Sequence, residues 1–190
     1  MIEHLHWQRT DKSGIAGQHI MIVGYSHYRK KEDPDHAGFT RGAVRKVISG
    51  KEKKYGGAMF SAVPSYFGDF AREDFWKKVL FFNFVPDSFL DTEKFATARG
   101  NQLEVAKKRF NKILGKEMPD KVFVFSRKAW RDCPLTEEEQ TGLCTPLSNG
   151  LDNWGTYAIN GKKIRACGFR HPMRTDTKKM RSAVQEFLNL

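Results

Sequence analysis

His19-Ile20-Met21-Ile22-Val23-Gly24, followed at once by Tyr25-Ser26-His27-Tyr28, is the stretch from which the fold can be read. A short run of large apolar residues closed by a glycine, with no polar alternation, is the pattern of a strand covered on both faces. Two more runs share that character: VLFFNF at 79–84, stopped by Pro86, and KVFVFS at 121–126. Between the last two lies the clearest helix, over 101–114. Leu103, Ala106, Phe110, Ile113 and Leu114 fall on one face, the Lys and Arg residues read as a solvated face, and Gly115 and Pro119 end it. TYAI and KKIRAC flank Asn160-Gly161, the preferred two-residue turn of a tight hairpin. A final helix is expected over 176–188, where Met180, Ala183, Val184, Phe187 and Leu188 recur at helical spacing.

The remaining segments read less sharply. DPD at 33–35 marks a loop ahead of a helix over 37–50, and a short helix over 71–78 carries Phe75 and Trp76. GGAMFSAVPSYFGDF, 56–70, mixes Gly, Pro and aromatics and reads as a loop with a binding or packing task. Residues 132–155 read as a polar, turn-rich connection, and 1–18 as a polar, peripheral N-terminal segment. Apolar strands alternating with amphipathic helices predict one α/β domain over 19–190, with a central, mostly parallel sheet flanked by helices. Ligands of such sheets bind beyond the carboxyl ends of the strands. The segments after residues 24, 84 and 167 are therefore expected to line one cleft.

Composition narrows the function. The chain has 190 residues, 39 % hydrophobic and 29 % charged, which excludes a disordered or collagen-like polymer. Lys and Arg number 33 against 22 Asp and Glu, a formal charge of +11, so polyanions are the first partners to consider. No apolar run approaches the roughly 18 residues of a membrane span. The N-terminus lacks the apolar core of a secretory signal. Cys133, Cys144 and Cys167 cannot pair completely and form no C-x-x-C, which points to a reduced, cytoplasmic protein without a metal site or cofactor. His4-x-His6 reads as part of a solvated tail rather than a metal ligand pair.

Three polar or aromatic clusters stand at the strand ends: Gly24-Tyr25-Ser26-His27-Tyr28, Asn83-Phe84-Val85-Pro86-Asp87, and Gly168-Phe169-Arg170-His171-Pro172-Met173-Arg174. In order and placement, GYSHY at 24–28, FSAVP at 60–64, VLFFN at 79–83 and HPMR at 171–174 resemble the four motifs of the uracil-DNA glycosylase superfamily. The resemblance spans 19–190 and implies that fold, DNA as partner, and hydrolysis of the N-glycosidic bond of a flipped, damaged base, a deaminated pyrimidine first. It implies that Asn83 reads the base edge, Phe60 stacks on the ring, and Tyr28 crowds its 5-position. His171 would stabilise the leaving base, and Met173 with Arg174 would wedge the duplex. Arg170, Lys178 and Lys179 would take phosphates.

The first motif departs from the family. Ser26 stands where a carboxylate or amide positions the attacking water, and His27 replaces a proline. Ser26 and His27 are the expected water-handling pair, with Asp33, Asp35, Asp69 and Asp87 as neighbouring carboxylates. The same change would suit a nucleic-acid-binding member that has lost the chemistry. A third reading takes Gly24-Tyr25-Ser26-His27-Tyr28 as a near miss to G-x-S-x-G, the nucleophile elbow of serine hydrolases, but Tyr28 replaces the second glycine. A monomer with no protein partner and no membrane contact is expected. Residues 162–181 hold eight Lys or Arg and one Asp, so a local +7 centres on the His-Pro loop.

Overall fold

The computed structural model describes residues 3–50, 57–90, 92, 97–141, 145–149 and 152–190. Cys144 lies outside them. The strands in chain order are β1 (Ile20–Gly24), β2 (His27–Arg29), β3 (Leu80–Asn83), β4 (Ser88–Leu90), β5 (Lys121–Val124), β6 (Thr145–Pro146), β7 (Asn153–Ile159) and β8 (Lys162–Gly168). The helices are α1 (Phe39–Ile48), α2 (Gly57–Phe67), α3 (Arg72–Lys78), α4 (Asn101–Glu117), α5 (Arg127–Asp132), α6 (Glu137–Thr141) and α7 (Thr177–Asn189).

Six strands make one sheet in the order β3-β1-β5-β8-β7-β6. The first four run parallel, and β7 and β6 return antiparallel. Asn160 and Gly161 form the turn between β7 and β8 at φ 48° and 77°. Two successive positive φ angles are what a type I′ turn demands, and Asn-Gly meets it with the least strain. Both faces of the sheet are covered, as the unbroken apolar runs require. Ile20, Ile22, Phe81 and Phe123 point to one face, under α1, α2, α3 and α7. Met21, Val23, Leu80, Phe82, Val122 and Val124 point to the other, under α4. The predicted α/β architecture with a mostly parallel sheet is therefore the observed one.

Residues 57–67 correct the loop expected there, because they form α2. Met59, Phe60, Val63, Tyr66 and Phe67 are all buried at helical spacing, and that apolar face outweighs the flanking glycines. Pro64 sits inside the helix and cannot donate to the Phe60 carbonyl four residues back. The Trp76 indole supplies the missing donor, with Nε1 donating to Phe60 O at 3.1 Å. Gly115 likewise fails to end α4, which runs on to Glu117 and stops at Met118 in the left-handed region, φ 45°.

The N-terminal segment corrects the expectation of a peripheral tail. Trp7 pairs antiparallel with Phe81 on the outer side of β3, N to O at 2.8 Å and back at 3.2 Å. Its buried indole donates to Trp76 O at 2.8 Å. A parallel edge strand left bare would expose its peptide groups for pairing with other chains, and this segment caps part of that edge. No helix among the described residues is long and apolar enough to cross a membrane.

Trp7→Ala is therefore expected to lower the unfolding free energy by about 3 kcal/mol or more, as for other buried aromatic truncations. Urea denaturation checks this. A change within about 0.5 kcal/mol would mean that the segment is peripheral after all.

Candidate functional site

Because β1, β3, β5 and β8 are parallel, their carboxyl ends meet at one edge of the sheet. Gly24 and Asn83 lie opposite one another there. A Cβ on Gly24 would come 2.2 Å from Asn83 Oδ1, so only glycine admits the carboxamide in that place. Met59 of α2 lies over the same spot, its Cε 3.5 Å from that Cβ position. Asn83 is only 6 % exposed, and its carboxamide has no hydrogen-bond partner among the described residues. The two motifs stay paired beyond the sheet. Phe84 and Val85 donate to Gly24 O and Tyr25 O at 3.0 and 2.8 Å, and β2 then pairs in parallel with β4. Ser26 sits inside this ribbon with its Oγ buried and without a hydrogen-bond partner.

Tyr25 anchors the ribbon from below, accepting from Ala98 N–H at 2.8 Å under the Lys128 ammonium, which lies 4.6 Å from the ring centre. Tyr28 is 44 % exposed, its ring centre 6.1 Å from that of Phe89. His27 is occupied differently from the role expected of it. Its Nε2 shares a 2.9 Å hydrogen bond with Thr40 Oγ1 of α1, and its ring packs 4.8 Å from Phe39 and 5.3 Å from His4. Burial, then the charge of His4, push its pKa down to about 3, with Asp35 opposing. So weak a base, already held by Thr40, is a packing and positioning group in this arrangement, which leaves Ser26 as the water-handling candidate of the pair.

His4 comes from the segment read as a solvated tail, and it is 1 % exposed. Its Nε2 donates to Asp35 Oδ1 at 2.6 Å, and Asp35 Oδ2 accepts from Ser88 N at 3.3 Å. Burial raises the Asp35 carboxyl, but the His4 and Ser88 hydrogen bonds outweigh it and hold the pKa below its ordinary value. His6 is also engaged, 3.0 Å from Glu117.

Phe60 does not meet the expected stacking position. Its ring is 4 % exposed in the core, edge-on to Trp76 at 4.8 Å and Phe81 at 5.2 Å. The His-Pro loop after β8 forms a single 3-10 turn, Pro172–Arg174, packed against α2. Exposed His171 caps it, its Nδ1 accepting from Met173 N–H at 3.3 Å. Met173 is 74 % exposed, the most exposed large apolar side chain described. Arg170, Lys178 and Lys179 are exposed on the same loop and the start of α7, which Asp176 caps. The Arg174 side chain lies outside the described residues. The fold thus gathers Gly24, Ser26 and Asn83 at one edge and packs the His-Pro turn against α2, the helix whose Met59 lies over that edge. Phe60 stays beneath and His27 turns toward Thr40.

One residue that holds the site carries no signal of that role in the sequence, and a second is one candidate among several. Arg109 was grouped with the solvated face of its helix but is 4 % exposed, and it shares the spacing of Ala106, Phe110 and Ile113. Asp35 is among the four carboxylates expected beside the first motif, and its link to His4 and Ser88 is what the sequence does not show. No family model matches the chain, and no curated protein matches it.

The depressed His27 pKa fixes a sign. In acid the unfolded chain takes up a proton near pH 6.5 that folded His27 refuses, so its contribution is complete above that pH and is lost as pH falls toward 3. His27→Gln keeps a polar partner for Thr40 and does not titrate. Between about pH 6 and pH 4 it should flatten the fall of unfolding free energy by up to ~1.4 kcal/mol per pH unit, measured by urea titration. Equal slopes in both proteins would contradict the assignment.

Proposed function

We propose that the protein is a DNA glycosylase-like enzyme that draws a damaged base, a deaminated pyrimidine first, to the carboxyl edge of its sheet. There it would hydrolyse the N-glycosidic bond. The observation that carries this reading is the Asn83 carboxamide: in a residue only 6 % exposed, without a hydrogen bond to another described residue, and lying where a Cβ on Gly24 would displace it. A carboxamide offers a donor and an acceptor side by side, which matches the edge of a pyrimidine.

In this reading Ser26 Oγ, sealed in the free protein and without a partner, becomes the group that orients the attacking water once the strand is bound. Departure of the base has oxocarbenium character, so stabilising the leaving group matters more than a strong base. His171 supplies that stabilisation from the turn above α2. Met173 is the apolar wedge, and Arg170, Arg174, Lys178 and Lys179 take the phosphates. Phe60 contributes by fixing α2 rather than by stacking. A nucleic-acid-binding protein without base excision is the second reading, favoured by Ser26 at the water-positioning place and by the commitment of His27 to Thr40.

Incubation with single- and double-stranded oligonucleotides bearing uracil or hypoxanthine, followed by alkali, separates the two. Strand breaks should appear at the lesion and fall by about 100-fold or more in Asn83→Ala and in the surface variant His171→Ala, with binding retained. Salt-sensitive binding with no abasic product on any lesion would overturn excision and leave the binder.

A further inference from the structure

Little of Asn83 reaches the surface in the free protein, and the side chain beside its carboxamide is an apolar one. Successive residues of β3 point to opposite faces of the sheet. Phe81 lies on the face covered by α1, α2, α3 and α7, so Asn83, two residues on, directs its carboxamide to that same face. Consecutive residues of α2 meet these two rungs. Phe60 packs edge-on to Phe81, with ring centres 5.2 Å apart. Met59 comes to the Asn83 rung: its Cε lies 3.5 Å from the point where a Gly24 Cβ would stand, and Asn83 Cγ lies 3.4 Å from that point. The thioether methyl and the carboxamide thus flank the space that Gly24 leaves open. Asn83 is 6 % exposed there and Met59 8 %.

The two residues of α2 are held differently. Phe60 is fixed through both its ring and its carbonyl, because the buried Trp76 indole donates to Phe60 O in place of Pro64. Swinging the helix away would break that hydrogen bond. Rotating the Met59 side chain breaks none, since a thioether on three rotatable bonds changes rotamer with only packing to lose. A polar side chain in its place would first have to release the carboxamide.

A base edge must come within about 3 Å of the carboxamide to hydrogen-bond with it. From the shared space at Gly24 we infer that Met59 is a displaceable cover over the Asn83 carboxamide, closed in the free protein and turned aside by an entering base. Resting on the proposed reading of Asn83, this cover adds one step to it: the carboxamide is uncovered by side-chain rotation while α2 stays anchored at Phe60.

Thiol labelling of the full chain tests the cover without relying on excision. Asn83→Cys places a thiol at the covered position, and its rate of reaction with methyl methanethiosulfonate, followed peptide by peptide in a mass spectrometer, measures how often the cover opens. Cys133 and Cys167 are both buried and report any loosening of the whole fold. Adding Met59→Ala should speed labelling at position 83 by about 10-fold or more and leave Cys133 and Cys167 unchanged, as a local opening does. Met59→Val, shorter but still apolar, should act in the same direction if Met59→Ala does not fold. Labelling at position 83 that is no faster, or that rises in step with Cys133 and Cys167, overturns the cover. With Asn83 in place, Met59→Ala should raise kcat/KM on a uracil-bearing oligonucleotide by about 3-fold or more, because a larger fraction of the protein is open to the base. An unchanged or lower kcat/KM also overturns it, since the base then has nothing to displace. If none of these proteins yields an abasic product while Met59→Ala still speeds labelling, the cover stands and the glycosylase reading falls.

Discussion

One buried cation holds the carboxyl edge together. The Arg109 guanidinium reaches from α4 to donate to Asn83 O at 2.7 Å and to His4 O, and it lies 5.1 Å from the centre of the Phe82 ring. Burial lowers its pKa to about 10, with Glu3 opposing, so it keeps its charge at neutral pH. A buried cation is tolerated only where acceptors and an aromatic face replace water, and these partners supply both. The same group thereby fixes the end of β3, from which the Asn83 carboxamide projects, and the segment that delivers His4. His4 in turn holds Asp35, which meets β4 at Ser88, and His4 packs against His27. Helix, strand end, N-terminal segment and ribbon are joined through one side chain.

Much of this fold was legible because its strands are buried on both faces. HIMIVG, VLFFNF and KVFVFS needed no alternation to be recognised, and Asn160-Gly161 announced the hairpin through the backbone angles it favours. The helix over 57–67 was hidden by its own punctuation. Glycines at the start and Pro64 inside imitate a loop, and the indole that compensates for Pro64 comes from a residue twelve positions further on. Burial of the N-terminal segment was illegible for a similar reason, since Trp7 is buried only by pairing with Phe81, 74 residues away.

The candidate site was half legible. Strand-end placement marked Asn83 and Ser26 correctly as edge residues, because a parallel sheet puts all its carboxyl ends together. Residue type alone could not tell that Phe60 faces inward or that His27 faces Thr40, since both depend on which face of an element packs. The charge needed no such knowledge. The stretch 162–181 runs from the amino end of β8 through the His-Pro turn into α7, so Arg170, Lys178 and Lys179 lie after the carboxyl end of β8, whereas Lys162 pairs with Asp120 at the opposite end of the strand.

The central claim is that this edge receives a base. A crystal structure with a strand containing 2′-fluoro-deoxyuridine, whose glycosidic bond resists cleavage, tests it most directly. The base edge is expected within about 3 Å of the Asn83 carboxamide, as hydrogen bonding requires, with the flanking phosphates at Arg170, Lys178 and Lys179. A strand bound elsewhere, with the Asn83 carboxamide untouched, would contradict it.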